Sequence, residues 1–234
     1  MCGRFALATT PQAFSARFGC PPPSGWTPRW NIAPQSRIVV VHARGGERRA
    51  VWMHWGFRPS WARAARDMRP QINARIETVS ERPMFRDAFR RRRALVPVSG
   101  FYEWQKPPRG PSRPFFIAAA GGELLALAAL FATPAGEEEA TVAILTRPAS
   151  EALQPIHHRM PLILPEKAWK RWLDPEPVDD ALLQHLLEEA ETVHLHAVPV
   201  SRRVNDPRQD DPSLLTPIEE EQPPVSEESQ GRLW

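Results

Sequence analysis

Lysine is nearly missing from this chain: Lys106, Lys167 and Lys170 stand beside 27 arginines among the 30 basic residues. Cysteine occurs twice, as Cys2 and Cys20, which is too few for a disulfide scaffold, so either one matters only as a thiol. No apolar run reaches the ~18 residues that would cross a bilayer as a helix, so no membrane association is expected. Met1-Cys2-Gly3-Arg4-Phe5 shows no basic stretch leading into an apolar core, so no secretory signal is visible. The cytosol, with recruitment to the nucleoid, is the expected compartment. There is no H-E-x-x-H, no pair of C-x-x-C motifs, no Walker loop, no G-x-G-x-x-G, no G-x-S-x-G and no kinase signature. Catalytic zinc, nucleotide hydrolysis and serine acyl-enzyme chemistry thereby lose their usual markers, and neither a metal nor a cofactor is expected.

What is present is 234 residues with 42% apolar and 24% charged positions, enough for one sizeable domain or at most two small ones. The formal charge of +3 hides a division. Residues 1–117 hold 21 Lys+Arg against 6 Asp+Glu, net +15, while residues 118–234 hold 9 against 21, net −12. The basic half also carries Trp26, Trp30, Trp52, Trp55, Trp61 and Trp104. Guanidinium forks match phosphate oxygens and indoles stack on bases, so this half suits single-stranded nucleic acid. An arginine-favouring genome with internal pairing of the two halves would produce the same counts.

Phe5–Leu7 reads as a strand, and Thr10-Pro11 opens a helix carrying Phe14 and Phe18 on one face. Five prolines between 20 and 36 predict an irregular surface loop. Arg37–His42 and Arg49–Trp55, separated by Gly45-Gly46, predict a hairpin. Phe85–Arg93 has helical spacing, with Arg86 and Arg90–Arg93 mostly outward. Leu95–Val98 and Phe101–Trp104 read as one strand bent at Ser99-Gly100. Phe115–Ala119, Leu124–Phe131 and Thr141–Leu145 read as neighbours in one sheet. Pro165–Leu173 and Val178–Ala190 are helical, and Val193–Val200 returns to strand. The class is α+β, predominantly β, with a barrel-like mixed sheet and short flanking helices. A single domain is expected over 1–217, followed by an acidic, flexible tail over 218–234.

Cys2 is the most suggestive position. Removal of Met1, which a small second residue permits, would leave an α-amine of pKa about 7.7–8.0 beside a thiol near 8.5. Such an aminothiol captures aldehydes: the amine forms a Schiff base and the thiol closes on the same carbon as a thiazolidine. The plain alternative is a small residue that happens to follow methionine. Asn73, Arg75 and Glu77 would share one face of an extended segment, either as a site or as the wet side of an edge strand. Glu103, between Tyr102 and Trp104, is either on a wet face or enclosed by aromatics, where desolvation would raise its pKa and fit it for proton transfer. His157-His158-Arg159, bracketed by Pro155 and Pro161, offers imidazoles that titrate near neutrality, or is an ordinary surface loop.

These features occur in order as Cys2-Gly3-Arg4, Asn31-Ile32-Ala33-Pro34, Trp55-Gly56-Phe57-Arg58-Pro59-Ser60-Trp61, Asn73-Ala74-Arg75, Gly100-Phe101-Tyr102-Glu103-Trp104, His157-His158-Arg159-Met160-Pro161 and Val204-Asn205. The set resembles the SOS-response-associated peptidase family, abasic-site processing proteins that shield damaged single-stranded DNA. The resemblance implies that Cys2 crosslinks the ring-opened abasic aldehyde and that Asn73 positions the N-terminal residue. It further implies that Glu103 handles protons at the amine and sugar oxygen, and that His157 is acid or base for ring opening and reversal. Arg4, Arg75 and Arg159 would hold phosphates, while Trp61 and the Asn31–Pro34 loop would line the DNA path. Removal of Met1 by the protein itself and an abasic-site lyase side reaction are also implied. The expected partner is single-stranded DNA bearing an abasic site, including single-to-double-strand junctions, met by a monomer. The rival readings are a thiol peptidase acting on separate proteins and a non-catalytic single-strand-binding module. Arg92-Arg93-Ala94 and Ala128-Ala129-Leu130-Phe131 depart from the family's usual Arg-Cys and Gly-Leu-Trp at those places.

Overall fold

The computed structural model describes residues 2–62, 68–177, 180–190 and 192–218. In chain order the elements are β1 (Phe5–Leu7), α1 (Pro11–Phe18), β2 (Arg29–Ile32), β3 (Arg37–Arg44), β4 (Glu47–Trp55), β5 (Asn73–Arg75), α2 (Arg86–Arg91), β6 (Arg93–Val98), β7 (Gly100–Gln105) and β8 (Arg113–Ala119). They continue with β9 (Leu125–Ala132), β10 (Thr141–Pro148), β11 (Arg159–Pro161), α3 (Glu166–Leu173), α4 (Asp180–Ala190) and β12 (Leu195–Pro199). The α+β, strand-dominated class is what the structure shows. Residues 219–234, which hold nearly all of the expected tail, lie outside the described residues.

Five strands close into a ring. The order β10–β4–β3–β6–β9 returns to β10, because Thr141 and Val142 pair in parallel with His54 and Trp55 of β4 and antiparallel with Ala132 and Phe131 of β9. The ring is mixed, as the sequence suggested, and fully buried Val41, Leu95, Leu127, Leu130 and Ile144 belong to the core built on its two faces. Beyond the ring, β10 continues and pairs with β5 through Ile144–Thr146 and with β11 through Thr146–Pro148. The hairpin β3–β4 forms because Gly45 (φ 63°) and Gly46 (φ 83°) supply the left-handed pair that a two-residue turn needs, with Arg44 opposite Glu47.

A second, antiparallel sheet runs β12–β8–β7–β1–β2. One face packs on the barrel through Phe5, Phe101 and Ile117, and the other carries Ala6, Tyr102 and Phe116 under Val200, Val204 and Leu214. Gly100 allows the chain to pass from β6 in one sheet to β7 in the other. A Cβ there would stand 2.3 Å from the Phe116 ring and 2.6 Å from the Ile117 carbonyl oxygen.

Helix α1 starts where Thr10 Oγ1 accepts from Ala13 N (3.1 Å) and stops at left-handed Gly19. Its buried Phe18 stacks on Trp169 of α3 at 5.0 Å. Trp169 and Trp172 are both fully buried, their indole N–H groups donating to the Leu164 and Ala94 carbonyls (2.8 Å each), and truncating Trp172 to Ala would cost about 3–5 kcal/mol.

Four expectations need correction. The 20–36 segment contains β2, because its backbone pairs with β1 despite the flanking prolines. β8 belongs to the second sheet, not beside β9 and β10, since alternation reveals a strand but not its sheet. Arg93 points inward: its guanidinium donates to the carbonyls of Phe89, Arg90, Trp172, Asp174 and Glu176, capping the ends of α2 and α3. Burial holds its pKa down to about 10. Finally, β5 ends at Arg75 and Glu77 falls in a 3₁₀ turn (Ile76–Thr78), so the three polar residues do not share one strand face.

Candidate functional site

Cys2 precedes β1 and is wholly buried. Burial pushes its thiol well above the ordinary range, the Glu103 carboxylate adds to this, and a hydrogen bond from the Arg4 backbone N–H to the sulfur opposes it. Asn73, at the start of β5, donates from Nδ2 to the Cys2 carbonyl oxygen at 2.8 Å. Its Oδ1 is also buried and has no hydrogen-bond partner among the described residues. A buried acceptor left open beside the chain's second residue is suited to an incoming N–H or O–H.

Glu103 resolves the ambiguity of its strand. Along β7, Tyr102 joins the outer cluster and Trp104 packs against it, whereas Phe101 joins the barrel core, so period-2 alternation sends Glu103 toward the barrel, 4% exposed. Burial raises its pKa above the usual carboxylate range, and the positive charges of the amino terminus and His158 pull it back. Glu103, His157 and Arg159 line one small gap walled by Phe101, Ile117 and Met160.

His157 Nδ1 lies 3.0 Å from both the backbone nitrogen and the carbonyl oxygen of Arg159. Neutral, it accepts from that N–H or donates to that carbonyl according to its tautomer; charged, it donates to the carbonyl. The ring therefore has a partner in either protonation state without moving. Burial lowers its pKa, and His158 stacks on it at 4.4 Å between ring centres.

The expected phosphate-holding residues are placed unequally. Arg159 is 8% exposed, and its guanidinium forks onto both Glu77 oxygens while Nη2 also donates to the Thr146 carbonyl at 2.7 Å. Arg4 Nη1 donates to Asn31 Oδ1 and to the Val204 carbonyl, both at 2.7 Å. Arg75 is exposed and makes no ion pair among the described residues, and its charge is felt by His158. Trp61 is 54% exposed, and nothing described places it against Cys2. Asn31, expected on the DNA path, is 0% exposed, because its amide is consumed by internal hydrogen bonds. Sequence reasoning missed the part played by Glu77. The Arg-Ile-Glu run hinted at it, but the 82-residue separation from Arg159 did not. No three His, Cys, Asp or Glu side chains among the described residues converge to hold a metal.

A buried cysteine at the second position, held by an amide and facing an enclosed carboxyl that shares a small gap with an imidazole, is a candidate cysteine-centred site on a closed mixed barrel. The SOS response associated peptidase (SRAP) family pattern matches residues 1–207, and the chain belongs to that family. It is 34% identical over 221 residues to abasic site processing protein YoqW of Bacillus subtilis, covering 92% of this chain and 99% of that one. It is 33% identical over 187 residues to abasic site processing protein YedK of Escherichia coli, covering 75% and 81%. A crystal structure of a protein from Bacteroides thetaiotaomicron superposes with a TM-score of 0.79 over 93% of this chain and 100% of that one, at 22% identity, showing the same fold.

Proposed function

We propose that this protein captures abasic sites in single-stranded DNA, including those at single-to-double-strand junctions, by forming a thiazolidine with Cys2. The observation that carries this reading is the wholly buried Cys2 held by Asn73 and faced by Glu103. The relatives named as abasic site processing proteins support it. Hydrolysis of the Met1–Cys2 peptide bond frees the α-amine. That amine adds to the ring-opened C1′ aldehyde and expels water, giving an imine. The thiol S–H then adds across the C=N bond, the sulfur bonding to carbon and the proton ending on nitrogen, so one water leaves overall.

The raised thiol pKa favours this order. A protonated thiol is a poor first nucleophile, so the amine attacks first and the thiol supplies its own proton when it closes on the imine. Glu103 carries protons between amine and carbinol oxygen, and His157 opens the sugar ring and assists reversal. Asn73 Oδ1 accepts from the nucleophilic nitrogen. An imine that fails to close would lose the 3′ phosphate by β-elimination, which is the lyase side reaction.

The test is intact mass and a denaturing gel after incubation with single-stranded DNA bearing one abasic site. A heat-stable adduct is expected, equal to protein lacking Met1 plus DNA minus one water, absent on intact DNA. If Met1 is gone and no adduct forms while peptides are cleaved without DNA, the peptidase reading replaces this one.

A further inference from the structure

Asn31 is buried, yet every polar atom of its side chain is engaged. Its Oδ1 accepts from Arg4 Nη1 at 2.7 Å, and its Nδ2 donates to the carbonyls of Val204 (3.3 Å), Asp206 (3.0 Å) and Gln209 (2.7 Å). Asp210 completes the fastening: Oδ1 accepts from the backbone N–H groups of Trp30 and Asn31 (2.5 and 2.9 Å), and Oδ2 pairs with Arg29 Nε (2.9 Å). Residues 204–210 thus form a strap pinned along β2.

Arg4 is where the strap meets the reactive end. Its guanidinium is held by Asn31 and by Val204, its carbonyl accepts from Tyr102 N (2.9 Å) on the strand that carries Glu103, and its own N–H bonds the Cys2 sulfur. We infer that Asn31 is a positioning residue: acting through Arg4, it sets the Cys2 sulfur against Glu103. The inference rests on the reading of Cys2 as the reacting group. Asn31 is fully buried and its amide is bonded internally, so the role is one of positioning and not of contact with phosphate or base. Its effect is on alignment, where a displacement of about 1 Å can lower a rate on the order of 100-fold.

The experiment measures single-turnover adduct formation for protein of verified mature N-terminus in the wild type, Asn31→Ala, Asn31→Asp and Arg203→Ala. Arg203 bonds Ser213, Gln209 and Asp211 on the exposed side of the strap and does not touch Arg4. Asn31→Ala is expected to lower the rate at saturating DNA by about 10-fold or more, with the half-saturating DNA concentration unchanged within about twofold. Asn31→Asp keeps an acceptor for Arg4 but sets an oxygen against the carbonyls of Val204, Asp206 and Gln209, so its rate should fall between those of Asn31→Ala and the wild type. Arg203→Ala should leave the rate unchanged. A wild-type rate in Asn31→Ala, an equal loss in Arg203→Ala, or an effect confined to half-saturation would each overturn the inference.

A second readout separates its failure from failure of the functional reading. In a Cys20→Ala background, native-state alkylation of Cys2 by iodoacetamide should be about 10-fold faster with Asn31→Ala than without it. Equal labelling would overturn the positioning role, and this holds even if wild-type protein forms no adduct.

Discussion

The two cysteines make an instructive pair. Both are buried, and burial raises both thiols above their ordinary range. Cys20 follows the left-handed Gly19 that ends α1, has Arg48 as its charged neighbour, and belongs to the same apolar core. Cys2 has a fixed amide, an enclosed carboxyl and a position from which one cleavage releases an α-amine. Burial and thiol pKa do not separate the two; the neighbours and the place in the chain do.

The strongest way to break this contrast is to exchange the losses. Cys2→Ala should abolish the heat-stable adduct on abasic DNA, and Cys20→Ala should leave its yield and rate unchanged, both read by intact mass. A residual adduct in Cys2→Ala, or its loss in Cys20→Ala, would undo the distinction.

Next in size is Glu103→Gln, which should slow adduct formation about 100-fold, the lower end of what a positioned proton carrier contributes. Because burial raises the Glu103 pKa, the inflection it imposes on the pH–rate profile lies above the usual carboxylate range, and it should vanish in the variant. The same shift has a stability consequence. Ionising a carboxyl whose folded pKa is raised costs folding free energy, a penalty absent below the unfolded pKa and full above the folded one. Glu103→Gln should therefore match wild type in acid and exceed it toward neutral pH in denaturant titrations.

Cys20→Ala probes the other half of the contrast and should lower unfolding free energy by about 1 kcal/mol through lost packing, with no kinetic effect. The smallest effect belongs to Arg75→Ala. With Arg4 and Arg159 already held by Asn31 and Glu77, Arg75 is the most available phosphate partner. Its loss should reduce the log–log salt slope of noncovalent single-strand binding by about 0.7.

Much of this could be read from residue order. Thr10-Pro11 marks the start of α1, Gly45-Gly46 marks the hairpin, and the spaced motifs bring Cys2, Asn73, Glu103 and His157 into one proposal. What stayed hidden has a common physical cause. The partition of β8 from β9 is a long-range pairing choice that alternating residues do not encode. Glu103 sits between two aromatics, so only the packing of Tyr102 on one side and Phe101 on the other shows which face is dry. Arg93, Arg159 and Asn31 looked like surface groups because their partners, carbonyls and a distant glutamate, leave no mark on the local sequence.

Strand β10 has a consequence for exchange with solvent. Its first residues close the barrel, while its later ones are, among the described residues, the sole strand partners of β5, which carries Asn73, and of β11, which begins at Arg159 beside His157. Releasing either short strand strips a partner from the later part of β10, next to the residues through which β10 closes the ring. Amide protons of β5 and β11 should therefore exchange with deuterium at rates close to those of the barrel core, as members of one cooperative unit rather than as a loosely held active-site loop.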